Sequence, residues 1–253
     1  MTRFFILSLT WCLSAFSGQS LATPPLNIGV AANVQFAFEE LSKVFVEQTG
    51  LPIQPIFSSS GKITAQVEAG SPLDIFLSAD TEYPEALYQK GLAAEKPVIY
   101  AYGTLVLWTL DDLDLEPGLS TLATANVKKI ALANPKLAPY GREAMRAMAF
   151  TGVAAAVADK FVFGESISQV NQYVTTRVVD VGFTAKSVVL SPSLANRGKW
   201  IEVPKESYAP IAQAALVLKH GIETNSDTAV KFMRFLQSDT ARQILAHYGY
   251  GVP

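Results

Sequence analysis

The sequence predicts an α/β protein of two lobes, with mixed, mainly parallel sheets flanked by helices and a ligand cleft between the lobes. Short apolar runs alternate with stretches whose apolar residues recur every three or four positions, which is typical of strands followed by helices. No repeat, low-complexity tract or flexible linker separates the halves. We therefore expect two lobes joined by close-set crossovers near residues 100 and 205, rather than independent domains on a linker.

Three pairs of a strand and a helix open the mature chain. The helices are recognised by their apolar spacing and by a glycine at the end of each, a residue suited to a left-handed cap. In chain order, the predicted elements are strand 26–32, a helix that ends at Gly50, strand 52–58, helix 63–70, strand 74–79 and helix 83–91.

The apolar run 98–109 predicts one long strand, long enough to leave one lobe and enter the other. The elements after it alternate again between strand and helix patterns. They are strand 129–134, helices 142–150, 154–161 and 166–175, strands 178–184 and 199–204, an apolar stretch 212–221 and a C-terminal helix 227–248.

The N-terminus has the pattern of a cleavable secretory signal. One cation, Arg3, precedes an apolar run that is too short for a membrane-spanning helix, and small residues follow at 20–22. Cys12, the single cysteine, lies inside this segment, so a mature chain beginning near Thr23 would have no disulfide. We assign residues 1–22 to the signal, 23–101 and 205–253 to the first lobe, and 102–204 to the second.

Charge and composition exclude some partners. The formal net charge is −2, and no run of lysine and arginine occurs, whereas a nucleic-acid-binding protein needs a basic face that neutralises phosphates. With 49% hydrophobic and 17% charged residues, the chain is expected to bury a large core. We expect no nucleic-acid partner.

The segment FSSSGKIT (57–64) resembles the end of a phosphate-binding P-loop only superficially. The pattern requires a glycine where this chain has Ile56, and a serine or threonine where it has Ile63. A nucleotide site is therefore not expected there. Lys62 is expected to be solvated in the first turn of a helix.

Three loops between a strand and a helix offer hydrogen-bond donors for an anion. They are residues 31–34, 58–61 and 138–141. Their donors are amide, hydroxyl, phenol and main-chain N–H groups, and none supplies a carboxylate acceptor. Such a set suits a fully ionised anion better than one that keeps a proton. Each loop taken alone is equally explained as an ordinary helix N-cap.

Patterns for catalysis or metal binding are otherwise absent from the sequence. His220 and His247 are in no metal-ligand spacing, and no Gly-x-Ser-x-Gly occurs. Asp80 is expected to cap the helix that begins near Glu82. A secreted hydrolase with Ser59 or Ser60 as nucleophile is a further hypothesis, disfavoured because no histidine partner is evident.

The same loops carry a resemblance to a known family. Over nearly the whole mature chain, the sequence resembles the periplasmic molybdate-binding proteins of ABC transporters, which belong to the type II periplasmic-binding-protein class. The segment 66–80 (QVEAGSPLDIFLSAD) is the most specific part of this resemblance. The other matching segments are 31–33, 58–60, 139–141, 180–183 and 247–250.

The resemblance implies which residues hold the ligand. Carried over by position, the ligand-binding residues are Ala32, Asn33, Ser60, Tyr140 and Ile167. Ser59 and Thr184 are expected to lie behind them, without contact to the ligand. Many members have a tyrosine at the position of Thr184, and we infer that the phenol donor has moved to Tyr140 here.

The resemblance also implies a function. The chain is expected to be a monomeric periplasmic receptor that captures molybdate, and also tungstate, for the membrane permease of an ABC importer. It would need no cofactor, would catalyse no reaction and would hold no metal apart from the metal within the oxyanion. The alternative is a protein of the same fold that binds another oxyanion, such as sulfate, or a small organic anion.

Overall fold

The computed structural model describes residues 24–253, which form two lobes, each built on one five-stranded sheet. The strand order is β2-β1-β3-β10-β4 in the first sheet and β7-β6-β8-β5-β9 in the second. The proposed signal segment, with Arg3 and Cys12, lies outside the described residues. Among the residues described, no helix is both long enough and apolar enough to cross a membrane.

In the first sheet, β1 pairs in parallel with its neighbours β2 and β3, and β10 runs antiparallel to β3 and β4. The helices of this lobe come from both ends of the chain. The elements are β1 (Leu26–Ala31), α1 (Gln35–Thr49), β2 (Ile53–Ser58), α2 (Ser60–Glu68), β3 (Ile75–Leu77), α3 (Glu82–Gln89), β4 (Val98–Gly103), β10 (Ile211–Val217), α7 (Lys219–Leu236) and α8 (Asp239–His247).

In the second sheet, β6 pairs in parallel with β7 and β8, while β5 runs antiparallel to β8 and β9. In each sheet four strands therefore run in one direction, and one strand, β10 or β5, runs against them. This confirms the mixed, mainly parallel sheets predicted from the sequence. The elements are β5 (Leu105–Thr109), β6 (Ile130–Ala133), α4 (Pro139–Phe150), β7 (Phe161–Gly164), α5 (Ile167–Thr175), β8 (Val181–Ala185), α6 (Lys186–Val189) and β9 (Lys199–Glu202).

The chain passes from the first sheet to the second within two residues, between Gly103 and Leu105, and returns between Glu202 and Ile211. The single strand predicted for 98–109 is therefore wrong, because β4 and β5 belong to different sheets. The apolar run continues across the break, because β5 is buried throughout and β4 also consists mainly of apolar residues although only Tyr100 and Ala101 in it are buried. Hydrophobicity alone therefore does not reveal the change of sheet.

Two further predictions of secondary structure are corrected. The segment 154–161 forms a 3-10 helix, Ala154–Lys160, and Phe161 then begins β7, an edge strand that the sequence reading missed. The C-terminal helix is two helices, α7 and α8, because Ser238 starts α8 by accepting a hydrogen bond from the N–H of Ala241.

The first lobe is held together by an aromatic core beneath its sheet. Phe45 and Phe232 are fully buried, and their ring centroids lie 5.3 Å apart in an edge-to-face arrangement. Burying each such side chain contributes roughly 1.5–3 kcal/mol. α1 presents this face because its apolar residues recur at helical spacing, and it ends at Gly50 with φ +68°, as the sequence predicted.

Candidate functional site

Four chain segments that follow strands meet at one small cavity between the two sheets. Two come from the first lobe, after β1 and β2, and two from the second, after β6 and β7. The end of β3 adds Ala79. The lining residues are Ala31, Ala32, Asn33, Ser59, Ser60, Ala79, Ala138, Pro139, Tyr140 and Ile167. The structure thus brings together all five residues that the resemblance implied, and it adds Ser59.

The cavity lies where helices begin. Asn33 is in the 3-10 turn that leads into α1, Ser60 is the first residue of α2, Tyr140 the second of α4 and Ile167 the first of α5. The first N–H groups of a helix have no acceptor within it. Among the described residues, none of these four N–H groups donates to a backbone carbonyl elsewhere.

The lining is neutral. Among the described residues, no lysine, arginine, histidine, aspartate or glutamate lines the cavity. Positive potential therefore comes from helix N-termini, each equivalent to roughly half a positive charge. The cavity contains about 200 Å³ of space free of protein atoms, open solvent included. Because this figure includes open solvent, the enclosed space is smaller still, which suits a small ion rather than an organic ligand.

The two serines at the start of α2 differ in their bonding. Ser60 Oγ accepts a hydrogen bond from the N–H of Ala79 at 3.0 Å, which leaves its own hydrogen free to donate. Ser59 is 3% exposed, and its Oγ has no hydrogen-bond partner in the described chain. Both hydroxyls are therefore available to a bound anion.

The side chain of Asn33 is committed to the protein. Its Nδ2 donates to Gln213 Oε1 at 2.9 Å and to the hydroxyl of Tyr250 at 3.2 Å, which uses both hydrogens of the amide. The carbonyl oxygen of Asn33 accepts from Tyr250 and from Ser187. Asn33 can therefore donate to an anion through its main-chain N–H, but not through its side-chain amide.

Behind the cavity lies a buried hydrogen-bond network, which we call the hub: Asn33, Tyr100, Tyr140, Ser187, Gln213 and Tyr250. Gln213 is central to it, because it accepts from the hydroxyl of Tyr100 at 2.9 Å and donates to that of Tyr140 at 3.3 Å. Tyr140 and Ser187 come from the second lobe and the other four from the first, so the hub joins the two lobes.

The phenols of the hub are neutral at physiological pH. Burial raises the pKa of Tyr250 to about 12, although its hydrogen bonds with Ser187 and Asn33 act in the opposite direction. Burial and the neighbouring Tyr250 raise the pKa of Tyr140 well above its ordinary value. The hydroxyl of Tyr140 belongs to this network, where it accepts a hydrogen bond from Gln213. The main-chain N–H of Tyr140 lies at the start of α4, beside the cavity.

Thr184 lies outside the cavity. It is fully buried in β8, and its hydroxyl donates to Asn171 Oδ1 at 2.6 Å. It is not among the residues that line the cavity.

Charged pairs bridge the mouth of the cleft. Arg142 of α4 donates to Asp80 at 2.8 Å, and Lys62 of α2 pairs with Glu165 of the second lobe. The expectation that Lys62 is simply solvated is therefore wrong, because its ammonium group pairs with Glu165. Asp80 also accepts a hydrogen bond from the N–H of Tyr83, so it caps the first turn of α3 as expected. The N-cap position itself is occupied by Thr81.

A main-chain bond also closes the mouth. The N–H of Gly61 donates to the carbonyl of Leu137 across the cleft at 2.9 Å. A side chain at Gly61 would meet Leu137 within 3.0 Å, so the glycine permits this approach. Together, these contacts show that the lobes are closed on one another.

The two histidines lie away from the cavity. His220 Nδ1 is 2.8 Å from Asp74 Oδ1, and His247 packs edge-to-face on Tyr248. Within residues 24–253, no group of three or more metal-ligating side chains is found. The serines of the cavity therefore have no general base beside them.

Two residues of the hub were not predicted from the sequence. Gln213 is a single amide within the apolar run of β10, and it is fully buried. A polar residue in such a run is a usable signal, because a buried amide requires partners. Ser187 lies in the short helix α6 after β8, and the sequence offers no comparable signal for it.

Comparisons with known proteins agree with this geometry. The model of a family described as bacterial extracellular solute-binding protein matches residues 26–251. The molybdate-binding protein ModA of Rhodobacter capsulatus is 35% identical over 240 residues, which cover 94% of this chain and 90% of the relative. ModA of Azotobacter vinelandii is 32% identical over 228 residues, which cover 90% of each chain.

A solved structure matches as well. The periplasmic molybdate-binding protein of Azotobacter vinelandii superposes with a TM-score of 0.85 at 30% identity, over 90% of this chain and 99% of that one. The two-lobe, type II fold expected from the sequence is thereby confirmed. The chain belongs to the bacterial extracellular solute-binding protein family.

Proposed function

We propose that this protein captures molybdate, and also tungstate, in the cavity between its lobes and delivers it to an ABC importer. The observation that carries the proposal is the convergence of four helix N-termini on a small cavity without a charged side chain. The relatives named as molybdate-binding proteins, at 32–35% identity over most of the chain, support this ligand.

The donor set favours a fully ionised tetrahedral anion. Molybdate, tungstate and sulfate accept hydrogen bonds on every oxygen and carry no proton near neutral pH. Hydrogen phosphate carries one and needs an acceptor for it, and the cavity lining offers no carboxylate. Helix dipoles and N–H groups hold such a dianion without a counter-charge.

We assign roles as follows. The main-chain N–H groups at Ala32, Asn33, Tyr140 and Ile167 donate to the oxygens of the anion, and Ser60 donates through both its N–H and its hydroxyl. The first lobe comprises residues 23–103 and 205–253, and the second residues 104–204. The first boundary lies two residues beyond the one expected from the sequence, because β4 of the first sheet runs to Gly103. Ligand binding draws them together about the crossings near Gly103 and Ile211, the hinge motion expected for this architecture.

The cellular setting follows from the same proposal. Cleavage of residues 1–22 releases a monomer into the periplasm, where it acts without a cofactor and catalyses no reaction. The absence of a base among the residues lining the cavity supports binding over hydrolysis by Ser59 or Ser60. Labelling of either serine by a fluorophosphonate probe would favour the hydrolase instead.

Isothermal titration of residues 23–253 with molybdate, tungstate, sulfate and phosphate in one buffer tests the proposal. We expect submicromolar binding of molybdate and tungstate, weaker binding of the smaller sulfate and none of phosphate. Ser60→Ala should weaken molybdate binding by about 1–3 kcal/mol, the usual range for a hydrogen bond to a charged group. Ser58→Ala, which alters a serine outside the cavity, is the matched control.

Tight phosphate binding, or binding of none of the four, would contradict the proposal. Sulfate binding that exceeds molybdate binding would favour the alternative, a sulfate receptor of the same fold.

A further inference from the structure

In the part of the chain that the structure describes, three serines stand immediately before helices at the N-cap position, and one of them does not act as a cap. Ser166 accepts a hydrogen bond from the N–H of Gln169 in α5, and Ser238 accepts from Ala241 in α8. Ser59 has the same extended backbone, with φ −74° and ψ 151°, but its hydroxyl makes no bond to α2. Its backbone is therefore suited to capping, while its side chain is left unused.

The helix has another partner in place of this hydroxyl. The N–H of Gly61, at a position that an N-cap side chain commonly bonds, donates instead to Leu137 of the second lobe. In the closed cleft, the Ser59 hydroxyl therefore does not accept the hydrogen bond that an N-cap side chain commonly receives from the N–H two residues later.

The Ser59 hydroxyl is buried as well as unpartnered. Its residue is 3% exposed, it lines the cavity, and Oγ has no hydrogen-bond partner in the described chain. A buried polar group without a partner is unfavourable, and native proteins rarely keep one unless a ligand or water satisfies it. The cavity is the space that remains for such a partner.

We infer that Ser59 donates its hydroxyl directly to the bound oxyanion, beside Ser60, rather than standing behind it. This inference rests on the proposed function of the cavity as an oxyanion site. It gives the start of α2 two adjacent hydroxyl donors, of which only that of Ser60 is also held by the protein, through the N–H of Ala79.

If Ser59 had a purely structural role, its replacement would change the stability of the unliganded protein in the opposite direction. Removing a helix cap lowers stability, whereas removing a buried hydroxyl that has no protein partner leaves stability unchanged or raises it. Affinity and unliganded stability therefore separate the two roles. Ser238 is the matched control, because it caps α8 and does not line the cavity.

The experiment measures molybdate affinity by calorimetry and the unliganded melting temperature for wild type, Ser59→Ala and Ser238→Ala. We expect Ser59→Ala to bind molybdate at least about tenfold more weakly, which is about 1.4 kcal/mol, with an unchanged or higher melting temperature. Ser238→Ala should melt lower and bind molybdate as wild type does.

Wild-type affinity in Ser59→Ala would overturn the inference, and so would a melting temperature lowered equally with and without saturating molybdate, which would reveal a cap and no contact with the ligand. Either result leaves the proposed function intact as long as the wild-type protein binds molybdate. Failure of the wild-type protein to bind would instead refute the proposed function itself.

Discussion

Asp80 and Arg142 hold the two lobes together at the mouth of the cleft: Oδ2 of Asp80 accepts a hydrogen bond from Nη2 of Arg142 at 2.8 Å. Asp80 follows β3 in the first lobe, and Arg142 lies in the first turn of α4, two residues after Tyr140. The side chains are 10% and 25% exposed, so water screens this pair only in part. Because the two residues belong to different lobes, opening of the cleft would separate them.

The first prediction concerns this pair. Arg142→Met should weaken molybdate binding by about 1 kcal/mol, because the closed form loses an ion pair that the open form lacks. Calorimetry at low and high salt measures the effect, which should shrink as salt screens the wild-type pair. Lys90→Met is the matched control, since Lys90 pairs with Glu68 within the first lobe. Equal losses in the two variants would show that the contact does not act through closure.

The second prediction concerns Gly103, at the crossing between the sheets. A Cβ at this position would lie 2.0 Å from the Tyr140 hydroxyl and 2.8 Å from Gln213 Nε2. Overpacking of this kind costs about 1–3 kcal/mol. Because Tyr140 belongs to the other lobe, Gly103→Ala should weaken molybdate binding by a comparable amount.

The control for Gly103 and its rescue come from the same chain. Gly251→Ala would place a Cβ 3.4 Å from Tyr102, an ordinary contact, and should leave affinity unchanged. Adding Tyr140→Phe to Gly103→Ala removes the clashing oxygen and should restore part of the affinity in a double-mutant cycle. Strict additivity of the two changes would show that Gly103 and Tyr140 do not interact.

The third prediction is a pH dependence from Tyr250. The folded state raises its pKa from 10.0 to about 12, so the unfolded chain loses this proton first as the pH rises. The stabilisation is present in full below pH 10 and is lost as the pH rises through 12. It amounts to as much as about 3 kcal/mol.

Urea unfolding of wild type and Tyr250→Phe from pH 8 to 12 measures this effect. The stability advantage of wild type over the variant should shrink between pH 10 and 12. Tyr102→Phe, which removes an exposed phenol of β4, serves as the control for tyrosine removal. An advantage that stayed constant over this range would contradict the burial of Tyr250 as the cause.

The fourth prediction separates stability from binding. Asp74 is fully buried at the start of β3, the end opposite the cleft, and accepts from the N–H of Asn27, from Thr224 and from Asn225. Asp74→Ala leaves these donors unsatisfied and should lower the free energy of unfolding by about 3–5 kcal/mol. Molybdate affinity of the folded fraction should not change.

Chemical denaturation and calorimetry at low temperature provide both readouts for Asp74. Asp112→Ala is the control, because Asp112 pairs with Lys199 in solvent and its loss should leave stability unaltered. A loss of affinity in Asp74→Ala would mean that this buried carboxylate also shapes the cleft.

Local patterns in the sequence predicted much of the fold. β1, α1 and its end at Gly50 were predicted because a short apolar run, helical spacing and a glycine suited to a left-handed cap are properties of neighbouring residues. The break between β4 and β5 was not predicted, since a change of sheet depends on partners distant in sequence. β7 was missed because it is only four residues long and partly exposed.

The candidate site shows the same division. The loops around Asn33, Ser60 and Tyr140 were identified because donors at strand-to-helix turns form a local pattern. The pairing of Lys62 with Glu165 joins residues 103 positions apart, and no local pattern reports it. The free hydroxyl of Ser59 depends on Leu137 of the other lobe, so only the folded chain distinguishes it from an ordinary cap.

The most direct test of the central claim is a crystal structure of residues 23–253 with molybdate, with data collected at the molybdenum absorption edge. We expect one anomalous peak in the cavity, with molybdate oxygens about 2.7–3.2 Å from the main-chain nitrogens of Asn33, Ser60, Tyr140 and Ile167. A peak elsewhere, or an empty cavity in protein saturated with molybdate, would contradict it.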